Sequence, residues 1–350
     1  NKTQLVQSLQ KEGFNVLMCG DGANDCGALK AANVGMSLSQ EEASIAAPFT
    51  SINPDISCII ELLKEGKCAL VTSVEIFKYM VIFSMVEFFS MSLMMFYDSF
   101  LGDFQSLIID IFITLPFSTF VPMTPASDNF TFHRPYSNLA SFPVAISLIV
   151  QIAINCIFQL GAIFGLNYFF PKSIKKFEKI RTCHETVKKG IDNCVENTIV
   201  FLISFPQYLY AGLVVITAAP FKKNIFNNII LFIYTILIII YINYIMIYND
   251  KFLDVFIALR SFPDDNVLKD KTDYYEPPKF LQFKYYIIIY SILNFIVSIF
   301  AEKVTIAYVI KKWYKKQYIK NNEKMKKENE PSLKLIENVK NYVIKMIKLS

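Results

Sequence analysis

Apolar and polar positions follow two different rhythms along this chain. Over the first sixty residues they change in short blocks. Leu5 to Lys11 predicts a short helix ending at Gly13, Phe14 to Cys19 a strand, and Gly20 and Gly22 a turn. Asn24 to Ala32 reads as helical and Val34 to Leu38 as a second strand. Strand, glycine turn, helix and strand make an α/β arrangement, with a polar loop at the carboxyl end of a strand, where such sheets hold ligands. From about residue 74 the blocks give way to long apolar runs. Spans are expected at 76–97, 103–125, 142–167, 195–218, 226–248 and 285–308. Each is near the roughly 20 residues that cross a bilayer. The connection from Tyr97 to Gly102 is so short that the first two spans must form an antiparallel hairpin. A helix at 56–80 is expected to lead from the polar module into the first span.

Composition sharpens this picture. Of 350 residues, 53% are hydrophobic and only 19% charged, with mean hydropathy +0.37. A soluble domain carries about 25% charge. The chain is therefore read as a polytopic membrane protein. Seven scattered Cys without a CxxC pair give no disulfide framework. His133 and His184 form no catalytic or metal pattern, and nothing points to nucleic acid. Residues 1–20 do not have the form of a cleavable signal peptide, so insertion is expected to use an internal span. The start at Asn1, without Met, is read as an N-terminal truncation.

Loop charge sets the expected orientation. Arg134 in the 126–141 loop, Lys222 and Lys223 in the 219–225 loop, and twelve Lys against four Glu in 311–350 all fall on one side, the cytosolic one. The 249–284 loop, with seven Asp or Glu, is net acidic and fits the opposite side. The Lys-rich 168–194 loop runs against the rule. The sequon Asn129-Phe130-Thr131 is then cytosolic and unmodified. The basic tail has two readings, an amphipathic helix on anionic lipid, at about 1 kcal/mol per Lys near the surface, or a solvated segment.

The densest chemistry lies in the run Gly20-Asp21-Gly22-Ala23-Asn24-Asp25-Cys26-Gly27-Ala28-Leu29-Lys30. Two carboxylates beside backbone N–H groups at Gly20 and Gly22 are suited to a hard cation and a phosphate. Asp21, at the tip of the turn, is the better Mg²⁺ ligand, and Asn24 offers an amide to a phosphoryl oxygen. Asp25 is also placed to cap the following helix. The residues alone leave Lys2 and Lys30 open between a phosphate partner and a solvated charge.

This run resembles the hinge motif of P-type ATPases and matches it at every fixed position. The resemblance implies that Asp21 binds the catalytic Mg²⁺, that Asn24 helps hold the phosphoryl group, and that Asp25 supports the site. Lys2, in Lys2-Thr3-Gln4-Leu5-Val6, resembles the family's phosphate-contacting Lys. Gly27, where ion pumps have Pro, and Ser44-Ile45-Ala46-Ala47-Pro48-Phe49-Thr50-Ser51 are similar to the B subgroup of type-V ATPases. So are Phe77-Lys78-Tyr79-Met80, Leu101-Gly102-Asp103-Phe104-Gln105, Asp110, Glu196-Asn197-Thr198, Phe205-Pro206-Gln207-Tyr208 and Ala219-Pro220-Phe221-Lys222. The likeness extends from residue 1 to about 308. It implies the end of a HAD-like, Rossmann-type phosphorylation domain over 1–67, and the fifth to tenth membrane helices over 68–310. A cytosolic tail at 311–350 follows. The implied activity is ATP-driven export of a polyamine, or another cation, from the late endosome or lysosome lumen. The Asp-Lys-Thr-Gly-Thr stretch that becomes phosphorylated does not occur in these 350 residues. Neither do the nucleotide-binding domain, the actuator domain or four further helices, so the 350 residues alone are expected to be inactive. Two alternatives stand beside this: the type-V A subgroup, which extracts transmembrane helices at the endoplasmic reticulum, and a non-catalytic membrane scaffold.

Ionisable residues inside spans cost roughly 2.5–3.5 kcal/mol on insertion scales and usually face a pathway. Asp103 and Asp110, seven apart, share one helix face, and Asp98 lies near the luminal mouth. With Tyr79 and Tyr97 they outline a corridor for an elongated polycation, through charge pairing and cation–π contact. Glu87, in the middle of the first span, is a pathway residue or is paired within the bundle. Lys78 is expected to snorkel to the cytosolic edge. Gln151, Asn155 and Gln159 predict an interhelical polar seam, and Glu196 and Gln207 structural roles. Pro116, Pro122 and Pro125 are expected to break the second span.

Overall fold

A computed structural model describes residues 2–40, 42–53, 55–131, 135, 138–169, 195–216, 220–247, 278–306, 308, 309 and 312. Arg134, most of the 168–194 and 249–284 loops and the basic tail lie outside them. The chain divides into two units, one of Asn1–Ile76, Phe117–Ser137 and Thr217–Thr235, the other of Phe77–Pro116, Asn138–Ile216 and Ile236–Ser350.

In the first unit, helix α1 (Lys2–Lys11) leads to a three-stranded parallel sheet, β1 (Leu17–Gly20), β2 (Val34–Ser37) and β3 (Phe49–Thr50), in that order. Leu17 pairs with Val34 and Gly20 with Ser37, and Met36 pairs with Phe49. The intervening chain winds through a tight turn, Ala23–Asp25, into α2 (Cys26–Ala31). Helix α2 buries Ala28 and Leu29, and Met18, Cys26 and Ala47 pack on a core of Leu29 and Ala46. Strand β1 starts three residues later than its apolar run suggests. Asn33 explains this: its side-chain oxygen accepts from the Val16 N–H at 2.9 Å and its own N–H donates to the Val16 carbonyl, leaving Phe14 exposed. Strand β3 was not expected, since two residues leave no periodicity to read.

Helix α3 (Cys58–Met95) runs unbroken for 38 residues, about 57 Å at 1.5 Å per residue. The expected leading helix and first span are therefore one rod. Its early turns hold the loop at 125–131. The Lys64 ammonium donates to the Asp128 carbonyl, and Lys67 donates to the Thr131 carbonyl at 2.6 Å while standing 4.4 Å over the Phe130 ring. Ala126 pairs with Lys222 as an antiparallel bridge, and the Lys222 ammonium meets the Glu75 carboxylate at 2.7 Å. Both side chains are buried, so Lys222 is not the exposed loop charge that the sequence suggested. Lys223 does remain partly exposed, paired with Asp128 at 2.7 Å.

Among the described residues six helices are long and apolar enough to cross a membrane: Cys58–Met95, Asp103–Met123, Phe142–Phe169, Glu196–Val215, Ile229–Ile247 and Tyr285–Val304. This is a multi-pass membrane protein. The fourth of these spans is the core of its unit, 89% buried against 44% or less for the others. The second span changes pitch. An α-helical start, Asp103–Ile109, widens to a π-helical turn at Asp110–Thr114, returns to α at Leu115–Phe120 and tightens at Val121–Met123. Pro116 accounts for the widening, since it has no N–H for the carbonyl four residues back and its ring crowds that carbonyl. Leu115 donates instead to the Asp110 carbonyl, five residues back.

In the second unit the predicted seam is present and buried. Gln159 donates to Ser90 at 2.8 Å and to the Gln207 side-chain oxygen at 3.0 Å, and Gln207 donates to the Asn155 carbonyl at 3.1 Å. Gln151 donates to the Ser298 carbonyl at 3.0 Å. Lys78 departs from expectation. It does not snorkel but is buried, paired with Glu302 at 2.6 Å, because a carboxylate inside the bundle satisfies it better than a distant headgroup. On the third span, Gly161 and Gly165 leave room for aromatic rings of the sixth. A Cβ on Gly161 would run into the Tyr290 hydroxyl, and one on Gly165 would lie 2.6 Å from the Tyr286 ring.

Candidate functional site

Two groups of candidate residues lie one in each unit. In the first unit the polar loop leaves the carboxyl end of β1 with Asp21 exposed, the side favoured for ligands in α/β sheets. Asn24, also exposed, sits in the tight turn, and the Asp25 N–H closes that turn on the Gly22 carbonyl at 3.0 Å. Gly20 must be a glycine here, because a Cβ would lie 2.7 Å from the Asp25 side chain. Asp25 occupies the position before α2, yet its carboxylate caps nothing. It is buried and accepts from the Lys2 ammonium at 2.6 Å. The hydrogen bond to Asp25, then the charge of Asp25 and, more weakly, that of Asp21 hold the Lys2 pKa above its ordinary 10.5. The fold thus brings Lys2, Asp21 and Asp25 together from positions 23 residues apart, leaving Asp21 and Asn24 presented to solvent. The motif marked Asp25, but its pairing with Lys2 depends on where α1 packs against α2 and left no sequence signal.

One exposed carboxylate and a neighbouring side-chain amide suit Mg²⁺, which commonly takes one or two carboxylates and completes its shell with water and phosphate oxygens. Among the described residues no group of three or more His, Cys, Asp or Glu converges on a point, so a closed all-protein metal cage is not what they form.

In the second unit, Glu87 is half-buried and Asp110 is exposed within the π-helical turn. Glu87 stands one turn beyond Phe83 on α3, and both the Phe83 ring and the π-helical turn of Asp110 pack on the fourth span, which carries the buried Tyr208. Tyr79 is buried and joins the same group through Phe83, whose ring centroid lies 6.3 Å from that of Tyr79 and 4.9 Å from that of Tyr208. Tyr208 is the member the sequence reading did not single out as a site. Its only signal was its place in Phe205-Pro206-Gln207-Tyr208. Asp103 opens the second span, exposed, in a turn closed by the Gly102 N–H donating to Gln105 at 3.0 Å. Seven residues of helix separate it from Asp110, about 10 Å. Asp98 is exposed in the hairpin turn at φ 51°, a left-handed conformation that Asp tolerates. Tyr97 packs on Leu93, Met94, Ile163 and Val200. The candidates therefore form an inner set, Glu87, Asp110, Tyr79 and Tyr208, and a set at the hairpin end, Asp98, Asp103 and Tyr97.

No protein-family model matches the chain. Among known proteins it is similar to polyamine-transporting ATPase 13A3 of Mus musculus, 35% identical over 318 residues, covering 86% of this chain and 24% of that protein. Polyamine-transporting ATPase 13A2 of Homo sapiens is 41% identical over 230 residues, covering 65% and 19%. The vacuolar cation-transporting ATPase YPK9 of Saccharomyces cerevisiae is 36% identical over 229 residues, covering 65% and 15%. The chain spans about a quarter or less of the length of these relatives.

Proposed function

The chain belongs to the type-V, B-subgroup P-type ATPases, and from that premise we propose that it forms the hinge module and the fifth to tenth membrane helices of an ATP-driven polyamine pump. Residues 1–67 close the HAD-like phosphorylation domain, 68–310 form the membrane domain and 311–350 the cytosolic tail. The names of the relatives support a cation or polyamine as cargo and, for one of them, a vacuolar membrane; we assign the direction as from the lumen of a late endosome, lysosome or vacuole to the cytosol. The phosphorylated Asp, the nucleotide site and the actuator domain belong to sequence outside these 350 residues.

In the phosphorylation domain, Asp21 would hold Mg²⁺, with Gly20 and Gly22 leaving the backbone open to phosphate oxygens. When bound, Mg²⁺ offsets charge that builds on the phosphoryl oxygens. Asn24 donates to a phosphoryl oxygen. Asp25, buried on Lys2, fixes the ammonium beside Asp21, where it faces an incoming phosphoryl group. In the membrane domain the observation that carries the reading is that the π-helical turn holding Asp110 and the α3 face holding Phe83, one turn from Glu87, pack on the same fourth span. Two carboxylates on spans that pack on one helix favour a cation that neutralises both, and the rings of Tyr79 and Tyr208 suit a polyamine's methylene stem and ammonium groups. Asp103 and Asp98 mark the luminal end of the route. The Lys-rich tail is expected to touch anionic lipid.

Reconstitution of the full-length protein tests this. Mg²⁺-ATP is expected to drive spermine or spermidine into the cytosolic-side compartment, with hydrolysis stimulated by polyamine and not by Ca²⁺ or Zn²⁺. Hydrolysis indifferent to polyamines would overturn the substrate assignment.

A further inference from the structure

The polar side-chain contacts between the third and sixth spans step four residues at a time from Ser147 to Asn155. Ser147 donates to the Glu302 carboxylate at 2.7 Å, Gln151 to the Ser298 carbonyl at 3.0 Å, and Asn294 to the Asn155 side-chain oxygen at 3.4 Å. Each step of four along the third span is matched by a step of four back along the sixth. The aromatic end repeats in the same way, with Tyr290 over Gly161 and Tyr286 over Gly165. An interface with one period is nearly indifferent to a slip of one turn, about 6 Å. After such a slip amide still meets amide or hydroxyl, and one tyrosine still finds a glycine. One contact in the set has no counterpart a turn away. Glu302 accepts from Lys78 of the first span at 2.6 Å, and both side chains are largely buried. Its remaining capacity is taken by Ser147 and, at 3.3 Å, by Gln151. A π-helical stretch, Ala301–Ile306, carries Glu302 at this point in the sixth span.

We propose that the Lys78–Glu302 ion pair is the register lock of the membrane bundle, fixing the sixth span against the third where the repeating polar contacts permit a one-turn slip. A slip in either direction strands an ammonium and a carboxylate among apolar neighbours, and no other polar contact of the interface imposes that cost. A single buried polar contact fixing register at some expense in stability is the best attested use of such groups. The lock does not depend on what the protein transports.

Disulfide trapping in the full-length protein, with Cys156→Ala to remove a nearby free thiol, reads the register directly. Asn155→Cys with Asn294→Cys reports the native register, and Asn155→Cys with Ser298→Cys and Gln151→Cys with Asn294→Cys report a slip each way. With the ion pair intact only the native pair is expected to cross-link. Lys78→Met with Glu302→Gln keeps the hydrogen bonding of Glu302 but removes both charges, and a slipped pair is expected to cross-link in it. The exchanged pair, Lys78→Glu with Glu302→Lys, is expected to return the native pattern, and it decides the matter if the neutral variant does not accumulate. Native cross-linking alone in the neutral variant, or slipped cross-linking in the exchanged one, would overturn the proposal.

Discussion

Lys2 reaches Asp25 at 2.6 Å and leaves Asp21 to solvent, so the two carboxylates of the hinge loop are expected to respond differently to removal. Asp21→Asn is expected to lower ATP hydrolysis about a hundredfold or more for every substrate, since a metal's hold on the phosphoryl group is worth several kcal/mol and 1.4 kcal/mol is a factor of ten. The fold should be kept, because Asp21 is exposed. Thermal unfolding measured beside activity separates the two effects. Asp25→Ala is expected to lower both, leaving Lys2 without its partner. The sequence ranked Asp21 as the better metal ligand and left Asp25 as a support or a helix cap, but nothing in it showed that Asp25 is buried on Lys2. That pairing arises from α1 packing beside the loop, a contact across 23 residues. The charges of Lys78 and Lys222 were misread for the same reason. A lysine near a span end reads as snorkelling or solvated until an acidic partner appears, and Glu302 and Glu75 lie 224 and 147 residues away.

At the scale of elements, patterning did better. All six spans were legible because twenty apolar residues have few other uses, and the breaks in the second span were legible from its prolines. The form of the break was not. A π-helical turn needs local geometry, and here it places Asp110 where the Pro116 ring displaces the helical ladder. Helix interfaces carry two further predictions. Gly161→Ala is expected to destabilise the bundle by about 1–3 kcal/mol through overpacking against Tyr290, with Tyr290→Phe giving partial rescue. Detergent melting curves of the single and double variants measure this. Lys222→Met is expected to cost about 3–5 kcal/mol by stranding buried Glu75, whereas Lys222→Met with Glu75→Met is expected to recover most of the loss. Equal losses in both variants would mean the pair acts through something other than charge.

In the whole molecule, the proposed phosphoryl chemistry belongs to residues of one unit and the proposed cation handling to residues of the other, so variants can test the two separately. The helix Cys58–Met95 contributes residues to both units. Its tail end carries Glu87. On the proposed function the phosphorylated Asp lies outside these 350 residues, so the decisive experiment uses the full-length protein with Asp110→Asn. Phosphoenzyme formed from ATP is measured first, then its loss on adding polyamine. The account predicts normal formation of the phosphoenzyme and little or no acceleration of its loss by polyamine. Polyamine-triggered loss as fast as in the parent protein would contradict the assignment of Asp110 to the cation route, and with it the central claim.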